Sequence, residues 1–437
     1  MSANVSQSRR PGWANRIIDF SPNEVCQRRV PGSVRLTQFA FVDARRRHYS
    51  ARDWSDFTPL HREIIGEQML TRRSAASLLA SAVAGAQQPD SRREGTKPVT
   101  VVVAGLVHGH AAGMFRRLRG RDEIRVVGIT EARREVAERY ARQFNLESSL
   151  FESDLARALE TRKPDAVMAF SDTFDHKEIV ELCAAHRVPV MVEKPLAVSD
   201  EHARSIERAA RTSGIHVLVN YETSWYPSVH QLRAMVQEQK IGPVIKIVVR
   251  DGHQGPKEIG VPPEFLAWLS DPVRNGAGAL FDFGCYGANL ATWLLEGALP
   301  LTVSTTVQTL KPHIYPRVDD DATVVLTYPK AQVIIQASWN WPYNRKDMDV
   351  YGSRGYILAP DRHTLQVRAG DAPESRITAT PLQNEHRDEI SYLVAVLRGQ
   401  IHPSGLSSLS NNLIVTRILE ASRESARTGR TVRIGKA

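Results

Sequence analysis

The chain has 437 residues, of which 24% are charged and 42% hydrophobic, with Gly and Pro at ordinary levels. This composition excludes a disordered, collagen-like or disulfide-stapled chain and leaves room for two domains, and the absence of any run of 18 apolar residues excludes a multi-span helical membrane protein. The formal charge of +9 is unevenly placed: residues 1–68 contribute +4, Arg72 and Arg73 add +2, and everything from Gln87 onward carries only +3, so no nucleic-acid partner is indicated.

Residues 1–68 hold eleven Arg and no Lys and show no sustained helical or strand period. They read as translated upstream sequence, with the true start at Met69; the rival reading is the long n-region of a signal peptide. Residues 69–86 run from an Arg72-Arg73 pair through a short apolar stretch to Ala84-Gly85-Ala86. That order fits a Tat-type signal cut after Ala86, the alternative being an Ala-rich helix with two arginines. Residues 87–97 then serve as a linker. Tat exports folded proteins, so a periplasmic or secreted protein is expected, loaded with cofactor before export and free of the membrane afterwards; a cytoplasmic protein is the alternative. Cys26, Cys183 and Cys285 form no CxxC pair. No His/Cys/Asp set has metal-ligand spacing, so no metal is expected.

Val99–Ala104 is an apolar, β-branched run followed at once by Gly105-Leu106-Val107-His108-Gly109-His110 and a helical Ala111–Leu118. Strand, glycine turn and helix make the opening of a dinucleotide-binding α/β unit. The fingerprint G-x-G-x-x-G is incomplete, because Val107 and His110 stand where two glycines belong. Ile124–Thr130 is a second strand, ending at Glu131, where a carboxylate meets an adenosine ribose; a Glu at a helix N-terminus is the plainer reading. Arg133 and Arg134 follow and suit a 2′-phosphate, so NAD and NADP both stay open. A third unit places a strand at 165–170, an exit loop at Ser171-Asp172-Thr173 and a helix at 176–186. The next strand, 188–192, runs into Glu193-Lys194-Pro195. This alternation predicts a mostly parallel sheet with ligands at the strands' C-terminal ends.

From about Pro98 to Ala437 the chain resembles the Gfo/Idh/MocA oxidoreductases. Glu193-Lys194-Pro195 matches that family's E-K-P triplet. Gly276-Ala277-Gly278-Ala279-Leu280-Phe281-Asp282-Phe283-Gly284-Cys285-Tyr286-Gly287-Ala288-Asn289 is similar to its G-G-G-x-L-x-D-x-G-x-H-x-x-D segment, and Asn412–Ala421 to its closing helix. The family's His is Tyr286 here and its second Asp is Asn289, a pattern similar to the glucose–fructose oxidoreductase branch, which includes a Tat-exported member that retains its cofactor. The resemblance implies an α/β chain: a Rossmann NAD(P)-binding domain at 98–220, then an α+β domain at 221–437 with a large, mostly antiparallel open sheet whose face forms a dimer or tetramer. It also implies a carbohydrate substrate.

Oxidising a sugar hydroxyl needs a hydride acceptor, which the cofactor supplies, and a proton route, which the protein supplies. Lys194, at a strand end, suits binding of the reacting oxygen, and the alternative is a solvated surface lysine. Tyr286 is the expected proton donor or acceptor, helped toward phenolate by Lys194, unless it is a packed aromatic. Asp282 lies one helical turn earlier and contacts substrate by the resemblance, or caps the helix. His176 is read as a cofactor-side residue or a helix-end residue, and His108, Gly109 and His110 as lining the pyrophosphate or nicotinamide. Cys285 is read as a packed thiol.

In the second half, 228–239 reads as helix and 244–249 as strand. The loop 251–257 reads as a sugar lid or a plain surface loop. Strands follow at 301–307, 322–328 and 332–339. Tyr221, Glu222, Trp225 and Asn289 are substrate-side candidates. Three functions compete: an NAD(P)-dependent oxidoreductase acting on a sugar, sugar acid or glycoside; an NAD-dependent glycosidase working by transient oxidation and elimination; and a non-catalytic nucleotide or sugar binder.

Overall fold

The computed structural model describes residues 97–434; the leader and signal reading of residues 1–96 lies outside them. Strand β1 (Val99–Ala104) is buried at every position but Thr100, as expected for a central strand covered on both faces. It is followed by α1 (Ala111–Arg117), β2 (Ile124–Thr130), α2 (Arg134–Phe144), β3 (Phe151–Glu152) and α3 (Leu155–Arg162). Then come β4 (Ala166–Ala169), α4 (His176–Ala185), β5 (Val190–Glu193), α5 (Asp200–Ser213) and β6 (Val217–Asn220). The six strands pair in parallel in the order β3-β2-β1-β4-β5-β6. The order reverses between β1 and β4, which opens a crevice at their C-terminal ends. Helix ends follow local chemistry: Ser199 caps α5 by accepting the His202 amide, and Gly214 closes it in the left-handed region.

The second half holds α6 (Pro227–Gln237), β7 (Val244–Gly252), α7 (Pro263–Leu269), α8 (Ala279–Asp282), α9 (Gly284–Leu294), β8 (Thr302–Gln308), β9 (Asp321–Thr327) and β10 (Gln332–Ser338). It continues with β11 (Arg345–Gly352), β12 (Gly355–Ala359), β13 (Thr364–Ala369), β14 (Ser375–Thr378), α10 (Glu389–Leu397), α11 (Leu409–Thr428) and β15 (Val432–Arg433). Nine strands form one sheet in the order β14-β13-β12-β11-β7-β10-β9-β8-β15. All neighbours are antiparallel except β7 and β10. One face is apolar: Ala322, Val324 and Leu326 with Val333, Ile335 and Ala337 are buried in the core that holds the apolar side chains of α9. Gly287 allows that close approach, since a Cβ there would fall 2.5 Å from Ile335. On the other face Arg250 pairs with Asp347 and Asp349 at 2.8 Å.

The expected division at residue 220 is crossed by two helices. Helix α11 lies against α5, where Glu420 accepts the Asp200 amide at 3.2 Å and Arg423 donates to Val198 O at 3.1 Å. Helix α10 returns to the nucleotide-binding half, where Ile390 and Leu393 join the core of β1 and α1. Its N-terminal acids pair with that half: Asp388 with Arg121 at 2.9 Å and Glu389 with Arg117.

Candidate active site

Gly105 leaves β1 at φ +77°, and a Cβ there would meet the Ser171 backbone at 3.0 Å, so the turn under β4 requires glycine. The Leu106 amide donates to Glu131 Oε2 and the Arg133 amide to Oε1, both at 2.9 Å. Glu131 thus locks the loop while its carboxylate still borders a cavity of about 460 Å³ with Gly105, Val107, Arg133 and Ser171. The His108 amide is engaged by Phe170 O at 3.0 Å, whereas no hydrogen bond among the described residues occupies the Val107 or Gly109 amides. A tight glycine turn, two free loop amides and a carboxylate at the end of β2 fit a dinucleotide despite the missing glycines. Arg134 is tied to Glu138 at 2.7 Å and does not border the cavity; Arg133 does. The Ser171 hydroxyl donates to Asp172 O at 2.8 Å, and Thr173 is buried with its hydroxyl unpartnered.

At the end of β5, Glu193 is buried. Its Oε1 accepts from Asn220 at 2.8 Å and its Oε2 meets His110 Nδ1 at 2.9 Å. Burial works against its charge, but His110 and His108 outweigh burial and hold the carboxyl well below the usual carboxylate range. His108 is buried between Phe265 and Trp268, and burial pushes its imidazole well below its ordinary pKa. The fold therefore brings together a set that sequence spacing did not show: ligand atoms of His108, His110 and Glu193 lie within 4.8 Å of one another. One bond opposes a metal there. The His110 amide donates to His108 Nδ1 at 3.2 Å, which assigns the ring proton to Nε2, the atom facing Glu193. His176 takes the plainer of its two readings: buried, its Nδ1 donates to the Pro195 and Leu196 carbonyls at 3.1 and 3.2 Å and so anchors the turn that carries Lys194.

The Lys194 ammonium, also buried, donates to Asp282 Oδ1 at 2.5 Å and Asp282 O at 3.0 Å. Trp339 Nε1 holds the other carboxylate oxygen at 2.9 Å. Burial disfavours both charges, yet the pair overcomes it: Asp282 raises the lysine pKa and Lys194 lowers that of the carboxyl. Tyr286 stands on α9 one turn on, its ring 5.2 Å from Lys194 Nζ and 4.9 Å from Lys346 Nζ. The expectation that Lys194 helps form a phenolate is corrected. Burial, then Glu222, push the phenol well above its ordinary pKa, and the Lys194 charge is already matched by Asp282. Tyr286 stays a neutral hydroxyl. Burial likewise pushes the Cys285 thiol up to about 12, and the thiol donates to Asp282 O.

Lys194, Asp282 and Tyr286 border one cavity of about 560 Å³, which Gly109 and His110 join from the glycine loop. Among its walls, sequence reasoning missed Lys346, Arg345 and Arg362, and the 251–257 loop read as a sugar lid does border it. Lys346 ion-pairs with Glu222, and Arg345 and Arg362 come from β11 and the β12–β13 turn. His253 comes from the 251–257 loop; burial lowers its pKa, and its Nδ1 accepts the Gly255 amide at 2.9 Å.

Tyr221, Trp225 and Asn289 do not border the Lys194 cavity. Asn289 is fully buried, donating to Leu406 O at 2.9 Å and Asn412 Oδ1 at 3.3 Å, because it faces α11 rather than the cavity. Trp225 donates to Asn220 Oδ1 at 3.0 Å and packs on Tyr392; it lines an adjoining cavity of about 290 Å³ with His110, Glu222 and Arg362. Tyr221 lies beneath Tyr286, edge to face at 5.3 Å, and supports that ring without lining the cavity.

Residues 99–221 match the family model described as an oxidoreductase family with an NAD-binding Rossmann fold, and residues 229–358 match the GFO/IDH/MocA C-terminal domain. The chain is 24% identical over 307 residues to D-apiose dehydrogenase of Rhizobium rhizogenes, covering 63% of this chain and 84% of that protein. It is 23% identical over 318 residues to inositol 2-dehydrogenase of Rhizobium meliloti, covering 70% and 90%. Among solved structures, the aldose-aldose oxidoreductase of Caulobacter crescentus superposes with a TM-score of 0.66 at 20% identity, over 77% of this chain and all of that one.

Proposed function

The chain belongs to the Gfo/Idh/MocA oxidoreductases, an NAD-binding family, and we propose that it moves hydride between a nicotinamide and a CH–OH carbon of a sugar, sugar acid or glycoside. The observation that carries this reading is the buried Lys194–Asp282 pair beneath Tyr286, at the wall shared by the glycine loop and the second-domain cavity. Relatives named for D-apiose and inositol support a polyhydroxylated substrate.

When bound, the nicotinamide supplies the hydride acceptor or donor. Lys194, kept charged by Asp282, offers N–H bonds to the substrate oxygen and polarises a carbonyl during reduction. Tyr286 gives that oxygen its proton. In oxidation the same phenol must receive a proton, which requires phenolate and makes oxidation faster as pH rises. Lys346 and His253 border the same cavity and supply further donors for hydroxyls.

The protein holds its dinucleotide through turnover, is exported through the Tat route on its Arg72-Arg73 signal, and pairs with a second copy through the open sheet face. Mass spectrometry of nucleotide released on denaturation, together with the mature N-terminus and the solution mass, tests all three. Stoichiometric NAD or NADP, cleavage after Ala86 and a multiple of the protomer mass are expected. An empty protein would defeat the tight-binding part.

A further inference from the structure

A second cavity of about 640 Å³ lies between α6, the end of α9 and the segment leading into α11. It shares no lining residue with the catalytic cavity or the dinucleotide cleft. Its size suits a small organic ligand.

Three features of its wall define the ligand. The first is an arc of rings. Trp225 and Tyr392 have centroids 5.5 Å apart, and His386 links Tyr392 to His230 at 5.9 and 5.8 Å. His230 in turn meets Trp293 edge to face at 5.4 Å. The second is Arg233, whose guanidinium lies 4.5 Å over the Trp293 ring and donates to the Trp293 carbonyl. No carboxylate of the described residues forms an ion pair with it; Glu296, on the rim, acts on it only at a distance. The third is a pair of hydroxyls: Ser224 and Ser407 are each 3% exposed, line the cavity and have no hydrogen-bond partner.

Buried hydroxyls are ordinarily satisfied, a half-buried guanidinium ordinarily meets an anion, and ring faces take the C–H face of a sugar. A planar aromatic would leave the serines unpaired, and a neutral sugar would leave Arg233 unpaired. We propose that this cavity is a second ligand site, for a monosaccharide bearing a carboxylate or phosphate, with the anion on Arg233 and the ring against Trp293. The site is independent of the redox assignment.

Isothermal titration of the full-length protein with D-glucuronate, D-glucose 6-phosphate and D-glucose tests it. Binding of at least one charged sugar is expected, at least tenfold tighter than glucose. Which of the two charged sugars binds identifies the anion. Arg233→Gln should weaken that binding at least tenfold and leave dinucleotide affinity unchanged, which also shows that the variant is folded. Lys194→Met, which alters only the catalytic cavity, should keep the Arg233-dependent part of that binding. No heat with either charged sugar, equal binding of glucose, or binding by Arg233→Gln as tight as that of the unaltered protein would overturn the proposal.

Discussion

Replacing Asp282 by Asn leaves the shape of the site and removes one charge from a buried pair. At the 2.5 Å separation of Lys194 and Asp282, Coulomb attraction at an effective dielectric of about 20 is on the order of 6–7 kcal/mol. Desolvation of two ions cancels most of it, at several kcal/mol each. The net worth of the pair is therefore small, but losing one partner strands the other: Asp282→Asn should cost about 3–5 kcal/mol of stability. Its amide oxygen still accepts from Lys194, which favours the lower end. The cost has a pH window. Asp282 has a depressed folded pKa, so its contribution is present above its ordinary 3.8 and lost as pH falls below that. Lys194 has a raised one, so its contribution is present below its ordinary 10.5 and lost as pH rises through the folded value. The difference between wild type and variant should therefore be flat across neutral pH and shrink on the acid side. Urea titrations at several pH values measure it. Lys194→Met/Asp282→Leu should regain much of the stability with no turnover. A single-variant cost below about 1 kcal/mol, or a double mutant no better than additive, would show that the ion pair is not formed in the folded protein.

Tyr286→Phe should lower kcat by about 100-fold or more with dinucleotide affinity unchanged by titration, and wild-type oxidation should keep accelerating into alkaline pH; a plateau at neutral pH would remove the phenol from the proton route. Gly105→Ala forces a side chain onto positive φ against the Ser171 backbone, so calorimetry should show lost dinucleotide binding and a stability loss of at least about 1–2 kcal/mol. Against burial, Arg121 together with the Ser391 amide and hydroxyl holds the Asp388 carboxyl down to about 2 from 3.8, a joint contribution of about 2 kcal/mol that disappears as pH falls across that interval. Arg121→Gln should therefore narrow the stability gap between pH 7 and strongly acidic solution, as read by thermal melts.

The sequence showed what is local. Fully buried strands read as apolar runs, and β1 and β2 have the expected bounds at Val99–Ala104 and Ile124–Thr130. The glycine turn and the Lys194, Asp282 and Tyr286 constellation were visible as motifs. What stayed hidden depends on contacts between distant segments. Strand β11 alternates Asp347 and Asp349 with apolar residues, and those acids make sense only beside Arg250 on β7. Glu193 finds His110 across 83 positions, and Lys346 finds Glu222 across 124. Asn289 was placed by its match to the family's second Asp, and that match does not say which face of α9 the closing helix α11 covers. The Tyr286 proton could not be placed from a neighbouring lysine alone; its burial and the carboxylates around it decide the direction.

The most direct test mixes the purified protein, with NAD and separately with NADP, against a panel of aldoses, polyols and sugar acids, following the near-ultraviolet absorbance of reduced nicotinamide in a single turnover. The account predicts a rise with at least one polyhydroxylated compound, abolished by Lys194→Met and cut about 100-fold by Tyr286→Phe. No rise with any compound, or an undiminished rise in both variants, would contradict it.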